Sequence, residues 1–522
     1  MKPDAVIFQT PMIDALSNTV SALPIILPLI GGLVCFLLPQ RWRAAAGLVF
    51  SGLTLAGVVA LTWVLVETGI SGQALGGWDA PLGIQLRFDG LACVFLLLTA
   101  LVGLPVGLYA AAFFAQDHAN GTGPPLFWPL WLFLWAALNG IFLSGDLFNL
   151  YVLLEIMGLA AVSLAILSGK PAALRAGLRY FLAALVGSIF YLFGVALIYG
   201  ATGTLDIGLL GERLPGEAFT GRVAFAFMIV GLAVKTALFP LHFWLPEAHS
   251  SAPAPVSAIL SALVVKASFY LMLRLWVDVF DGSVTYAAGQ ALGVLCAVAM
   301  VWGSYQALRQ TKLKRMVAHS TVGQVGYMFL LFPLITLDLG DGGEAPWVVH
   351  AWTGGIYQAL AHGFAKAAMF LSVGIFILAV GDDDKRSVIN MVGRLPMTTF
   401  AFALAGVSLI GLPPSGGFVA KWMLLKATFS SGQWWWAPMI VWGSFLTAGY
   451  VFMILRLAFA PSSEAPAAKL NRVPGILQVT ALALGFGAIL IGFRAEEVMN
   501  LLDIQAPFAE VMDVDAEGGG DD

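Results

Sequence analysis

Apolar residues in this chain come in long continuous runs, separated by short polar stretches. A helix that crosses a bilayer needs about 20 mostly apolar residues. Fourteen runs meet that length, at roughly 19–38, 45–66, 90–113, 125–143, 147–168, 180–200, 223–243, 256–280, 286–308, 316–336, 348–380, 397–429, 435–459 and 473–493. They are unbroken and about twice as long as a barrel strand, which excludes a β-barrel. The pattern predicts an all-α polytopic membrane protein with about 14 transmembrane helices, called spans 1 to 14 below. Residues 1–18 carry Asp4 and Asp14 and only Lys2 as a base, so they do not read as a cleaved leader. The tail beyond 493 is acidic, ends in AEGGGDD and reads as a solvated end.

Composition agrees. Of 522 residues, 59% are hydrophobic and 11% charged, with a mean hydropathy of +0.88. Soluble domains carry about 25% charged residues. A cytosolic enzyme, a nucleic-acid binder and a disordered protein are excluded. A net charge of −4 is too small to imply an electrostatic partner. Cys35, Cys93 and Cys296 each lie in an apolar run, far apart in sequence, and read as small core residues. Fourteen basic residues, among them Lys170, Lys312, Lys314, Lys385 and Arg472, fall in odd-numbered loops; five fall on the other side. Odd loops are therefore expected in the cytoplasm, with both termini outside. No loop is long enough for a soluble domain. The chain has no Walker loop, Rossmann fingerprint or cysteine cluster, so no cofactor is expected.

The informative residues are charges inside the runs. An ionisable side chain at a helix centre costs about 2.5–3.5 kcal/mol on insertion scales. Glu155, Lys235, Lys266, Lys366 and Lys421 lie deep in spans 5, 7, 8, 11 and 12. Arg274, Lys426 and Arg456 lie nearer span ends, where they can snorkel to the headgroups. Glu155 reads as the one deep acid. A single buried lysine is as readily explained by a carbonyl or a partner subunit as by transport. Four lysines with one acid fit a proton relay better, because an apolar medium favours the neutral amine and so permits exchange.

Two spans should also be broken. Span 7 reads GLAVKTALFPLHFWLP, with Pro240 five residues after Lys235. Span 12 reads SLIGLPPSGGFVAKWMLLK, with Pro413, Pro414, Gly416 and Gly417 just before Lys421. Proline removes a backbone donor, and in lipid the freed carbonyls need protein or water. Such breaks at corresponding places in two halves point to an ion path. The expected halves are 114–280 (spans 4 to 8) and 281–460 (spans 9 to 13), preceded by 1–113 and followed by 461–522. A repeat of five spans must be inverted. His362 lies four residues before Lys366 on one helical face and can exchange protons near neutral pH. His242 and His249 read as interfacial at the exit of span 7, and His319 lies near the cytoplasmic end of span 10. No histidine pair has zinc-ligand spacing with a carboxylate, so no metal is expected.

Four segments carry a family resemblance: SGDLFNLYVLLEIMGLA, GLAVKTALFPLHFWLPEAHSSAPAPVSAILSALVVKASFY, LKRMVAHSTVGQVGYM and GLPPSGGFVAKWMLLK. They resemble the antiporter-like membrane subunits of respiratory complex I and of Mrp-type multisubunit cation/proton antiporters, over about residues 90 to 460. The first segment is most similar to the D subunit of Mrp antiporters. The stretch AHSSAPAPVSAILSALVVK is also similar to equivalent subunits of membrane-bound hydrogenases. The resemblance implies fourteen helices with two inverted five-helix repeats. It implies that Glu155 and Lys235 form a switching pair, that Lys266 is the central relay residue and that Lys421 is the terminal lysine. His362 and Lys366 fall in the histidine-containing stretch of span 11.

The leading expectation is an ion-translocating subunit of an Mrp-type antiporter in a bacterial plasma membrane. Its partners would be other membrane subunits, protons and Na+, with no nucleic acid. A second reading is a proton-pumping subunit of an NADH dehydrogenase or hydrogenase, without its own redox centre. A third is the membrane subunit of an inorganic-carbon uptake system, and a fourth a scaffold whose charges serve assembly.

Overall fold

The computed structural model describes residues 20–69, 72–117, 123–214, 218–281, 283–336, 345–461 and 470–508. Residues 1–18 and the acidic end beyond 508 lie outside them. Among the described residues, eleven helices are long and apolar enough to cross a membrane, and three apolar helices are shorter: Leu23–Leu37, Phe127–Leu143 and Pro396–Ile410. Together these are the fourteen spans of the sequence pattern. Cys35, Cys93 and Cys296 are buried and unpaired.

Beyond 493 the structure differs from the expected free tail. Ala495–Leu502 is helical, and its apolar Val498, Leu501 and Leu502 lie against the bundle. The Gly90 amide at the start of span 3 donates to the Ile504 carbonyl at 3.1 Å. The Phe508 ring meets Trp352 edge-on at 5.7 Å. One apolar face is enough to dock a short helix that charge content alone made look soluble. The loop between spans 2 and 3 adds an antiparallel pair, Gly72–Ala74 against Gln85–Arg87.

Spans 8 and 10 form the centre. The apolar window of Ala254–Val279 is 100% buried and that of Leu313–Ile335 94%, against 33% for span 14, Gly475–Phe493. Span 8 is not a uniform helix. A π-helical turn, Leu260–Val264, precedes Lys266, and a second, Leu275–Val279, ends the span. Such turns shift the backbone hydrogen-bond register and free carbonyls for side chains, which is why they recur at functional sites.

Both predicted breaks are present. In span 7, helix Ala218–Thr236 stops at Ala237, whose φ is +58°, and resumes at Leu245–Ser251. In span 12, Pro396–Ile410 stops at Gly411 (φ +89°) and resumes at Gly416–Ser430, capped by Ser415 accepting from the Phe418 amide. Pro240, Pro413 and Pro414 are exposed on the flank of the isolated chain, while Gly416 and Gly417 are buried. The prolines therefore face outward on this chain rather than into its interior. Prolines have no N–H to satisfy and tolerate the surface. The freed carbonyls turn inward instead, where Trp244 Nε1 meets Val234 O at 2.9 Å and Lys421 Nζ meets Leu409 O at 2.8 Å.

Each half carries the same devices. Asp146 bridges Asp206 before spans 5 and 7, and Lys312 bridges Asp384 before spans 10 and 12. Spans 6 and 11, Pro171–Thr202 and Trp347–Val380, both end on a left-handed glycine, Gly203 and Gly381. These matched stops agree with two inverted repeats.

Close helix approach in lipid depends on small residues rather than on water exclusion. A Cβ at Gly303 in span 9 would lie 2.4 Å from the backbone nitrogen of Gly323 in span 10, so alanine there must push the spans apart. A Cβ at Gly52 meets nothing within 4 Å. Gly303→Ala should therefore cost about 1–3 kcal/mol, the usual range for overpacking. Gly52→Ala should be near neutral. Thermal unfolding of the detergent-solubilised chain checks both; equal midpoints for the two variants would contradict the packing.

Candidate functional site

The charged residues that the sequence singled out sit in separate polar pockets strung across the bundle. At one flank, Lys235 Nζ lies 3.4 Å from Glu155 Oε1, and the Ser188 hydroxyl of span 6 donates to the same oxygen. Lys235 is buried, while the Glu155 side chain is 27% exposed at the edge of the isolated chain. The pair is possible because Glu155 and Ser188 face the end of the first half-helix of span 7, where the chain breaks.

Among the described residues Lys266 has no acid partner. Its ammonium donates to the Ser261 carbonyl at 2.7 Å and meets His362 Nδ1 at 2.6 Å. The carbonyl is one that the π-helical turn presents. His362 Nε2 is buried without a partner, so its remaining polarity is unmet. Lys366, one turn further along span 11, is also buried; it donates to the Val317 carbonyl at 3.0 Å and to the Ser320 hydroxyl. Ser261 and Thr321 hydroxyls meet at 2.9 Å and join spans 8 and 10 between the two amines.

From there an amide chain leads on. Gln358 donates to Gln324 at 2.8 Å, and Gln324 donates to the Leu409 carbonyl at 3.2 Å. Lys421 completes it, donating to the Leu409 and Ile410 carbonyls at 2.8 and 2.9 Å and to Ser444 Oγ at 3.0 Å. Its ammonium also lies 4.2 Å from the centre of the Tyr327 ring. Among the described residues no hydrogen bond joins Lys235 to Lys266, so a proton crossing there needs water.

The two halves use matched positions for different chemistry. Glu155 lies nine residues after Asp146, and Thr321 nine after Lys312. Ser188 lies 15 residues before Gly203, and Lys366 15 before Gly381. Where the first half sets an acid on span 5 against a hydroxyl on span 6, the second sets hydroxyls on span 10 against an amine on span 11. The second half thus needs no carboxylate, because its amine is solvated by oxygens.

Sequence reasoning missed one cluster. Asp89, at the head of span 3 and outside the run itself, is 1% exposed, so Glu155 is not alone as an acid enclosed by the bundle. Arg274 does not snorkel. Its guanidinium is bonded to Asp89, to Asp278 at 3.4 Å and to the Tyr270 hydroxyl at 3.0 Å, and these hold it inside. Arg87 adds bonds to Asp89 at 3.2 Å and Asp278 at 2.7 Å. The i,i+4 spacing of Arg274 and Asp278 was a local signal, but the contact with Asp89, 185 residues away, was not legible in the sequence. His249 is likewise buried rather than interfacial, stacked on Phe370 at 5.2 Å.

Comparison with known proteins gives three findings. The profile of the family described as "NADH:quinone oxidoreductase/Mrp antiporter, TM" matches residues 144–447. The chain is 34% identical to the N subunit of the NADH-quinone oxidoreductase of Desulforudis audaxviator, over 87% of this chain and 91% of that one. It is 30% identical to the D subunit of the Na(+)/H(+) antiporter of Alkalihalophilus pseudofirmus, over 92% and 95% respectively. It also superposes on a chain of the Mrp complex of a Dietzia species with a TM-score of 0.83 and 26% identity, over 95% and 99%.

Breaking a buried ion pair by removing one partner costs about 3–5 kcal/mol, because the other charge is left stranded. Arg274→Gln should therefore lower the folded yield and thermal midpoint sharply. The double variant Asp89→Asn, Arg274→Gln should recover part of the loss. A double variant as unstable as the sum of the singles would contradict the coupling.

Proposed function

The chain belongs to the NADH:quinone oxidoreductase/Mrp antiporter family of membrane subunits, and on that premise we propose that it carries protons within an Mrp-type multisubunit antiporter, exchanging them for Na+. One observation carries the reading. Four buried amines and one acid occupy a line of polar pockets through an apolar bundle, and three of the amines are held by carbonyl, hydroxyl or imidazole groups rather than by carboxylates. An amine so held can lose its proton without stranding a buried counter-charge. The acid at the Glu155 end can respond to Lys235 in the same exchange.

A proton arriving near Glu155 weakens its hold on Lys235. Lys235 then passes its proton through water to Lys266. His362 touches Lys266 directly and lies on the helix of Lys366, so it is placed to relay between them. The Gln358–Gln324 amides and the Leu409 carbonyl order the last stretch to Lys421. Amides do not themselves ferry protons; they position the groups and waters that do. The basic residues of the odd loops support a bacterial inner membrane orientation with both termini outside.

The Mrp reading is supported by likeness to the D subunit of an Na(+)/H(+) antiporter over nearly the whole chain. A redox-driven proton pump is the second reading, favoured by 34% identity to the N subunit of an NADH-quinone oxidoreductase. The proteins that co-purify with the native complex distinguish them: small antiporter subunits, or a soluble arm with redox centres.

Glu155→Gln keeps the shape and removes the charge. The variant should assemble normally and lose at least about tenfold in ion-driven proton flux, the loss expected when a positioned proton donor or acceptor is removed. Flux is measured in vesicles containing the complete complex. Flux near wild type in an assembled Glu155→Gln complex would contradict the reading.

A further inference from the structure

The break in span 12 differs from the break in span 7. In span 7 the freed Val234 carbonyl is taken by the Trp244 indole, a donor that never titrates. In span 12 the two freed carbonyls, Leu409 and Ile410, both accept from a titratable group, the Lys421 amine, with the Gln324 amide sharing Leu409 at 3.2 Å. They lie at the C-terminal end of a half-helix, where the backbone dipole favours positive charge. Ser444 Oγ is 3.0 Å from the amine, and the Tyr327 ring face closes one side. The Ser408 hydroxyl next to Leu409 is buried and has no partner. Gly411 makes the arrangement possible: its φ is +89°, and a Cβ there would lie 2.7 Å from Lys421 Cδ. Leu412, Pro413 and Pro414 are exposed beside it, so the oxygens lie just beneath the flank of the chain.

Two carbonyls, the Ser444 hydroxyl and an aromatic face form an oxygen-rich set that suits a hard monovalent cation as well as an ammonium group. We propose that the break of span 12 is an exchange site at which an alkali cation, Na+ in particular, and the proton of Lys421 compete for the Leu409 and Ile410 carbonyls. The proposal rests on the antiporter reading and deepens it. The exchange balances in charge and atoms: Lys–NH3+ plus Na+ gives Lys–NH2 with bound Na+, and one proton leaves. The site carries one positive charge in either state, so the apolar surroundings do not have to accommodate a change of charge.

Other titratable or charged groups on the packed elements are Lys314, Arg315, His319 and Tyr327 in span 10, His350, Tyr357, His362 and Lys366 in span 11, Lys426 in the second half of span 12, and Tyr450 and Arg456 in span 13. Span 14 and the first half of span 12 contribute none. Phenols ordinarily titrate near 10 and arginines stay charged, which leaves Lys314, His319, His350, His362, Lys366 and Lys426 as the competing sources of pH dependence. Lys366→Gln is the control for the Lys366–His362 pocket, and Lys421→Met, in which a pH dependence set by any other group would persist, is the control for the rest.

The test is the thermal midpoint of the purified full chain in NaCl against choline chloride at equal ionic strength, from pH 6.5 to 9.5, with LiCl and KCl in parallel. In the wild type the NaCl concentration for half-maximal stabilisation should fall as pH rises, by up to tenfold per unit while the amine is protonated. Lys421→Arg should show no Na+ effect, because a guanidinium stays charged and keeps the carbonyls. Lys421→Met should keep the effect and lose its pH dependence, while Lys366→Gln should keep both. Ser444→Ala, a milder change, should raise the half-maximal NaCl several-fold. No Na+ effect in the wild type, an unchanged effect in Lys421→Arg, or a lost effect in a folded Lys421→Met overturns the proposal. Glu155→Gln separates site from function: it should bind Na+ normally even as its complex stops transporting. A complex that moves no Na+ while its chain passes the binding test refutes the antiporter reading and leaves the site standing.

Discussion

A buried ammonium group without a carboxylate must find oxygens elsewhere, and in this chain the backbone supplies most of them. That constraint explains the irregular parts of the fold. The π-helical turn before Lys266 presents the Ser261 carbonyl, the end of the first half-helix of span 12 presents Leu409 and Ile410, and Lys366 draws on the Val317 carbonyl. A regular helix would spend the Ser261, Leu409 and Ile410 carbonyls on its own next turn, whereas Val317 lies within an unbroken helix and shares its carbonyl with Lys366. Span 8 can depart from regular geometry because protein surrounds it along its whole length, so no loosened backbone group meets lipid.

The same constraint accounts for the asymmetry between the halves. Glu155 sits where the chain's flank is partly open, and its charge is shared with Lys235 and Ser188. The equivalent place in the second half is fully enclosed, and there Thr321 stands instead. An isolated carboxylate at that depth would be costly beside amines that must sometimes be neutral. Where acids do occur in the interior, at Asp89 and Asp278, they are clamped by two arginines, which keep their protons. That cluster is fixed charge that ties span 3 to span 8, while the proposed relay requires the lysines to be adjustable charge.

The sequence exposed whatever was anomalous within a single run. Lysines inside apolar stretches, Pro240 after Lys235 and the PPSGG segment before Lys421 stand out against their neighbours, and the breaks lie where they indicated. What depends on contact between distant runs stayed hidden. Arg274 looked like an ordinary span-end arginine because the acid that completes its cage, Asp89, is 185 residues away, although Asp278 at i+4 was a local partner the spacing could have shown. The meeting of Lys266 with His362 joins two spans that are each uniformly apolar around them. The docked helix Ala495–Leu502 was obscured by its acidic neighbours, since charge content reports solvation and not the one apolar face that packs.

The account stands on Lys266 being an amine that gives up and regains its proton rather than a fixed positive anchor. The most direct measurement is ion-driven proton flux in vesicles carrying the complete complex with Lys266→Arg. Arginine retains the positive charge and can still donate to the Ser261 carbonyl, but it does not deprotonate in proteins. The account predicts an assembled complex whose flux is abolished between pH 6 and 9. Assembled Lys266→Arg complexes that transport at near wild-type rate across that range would contradict it.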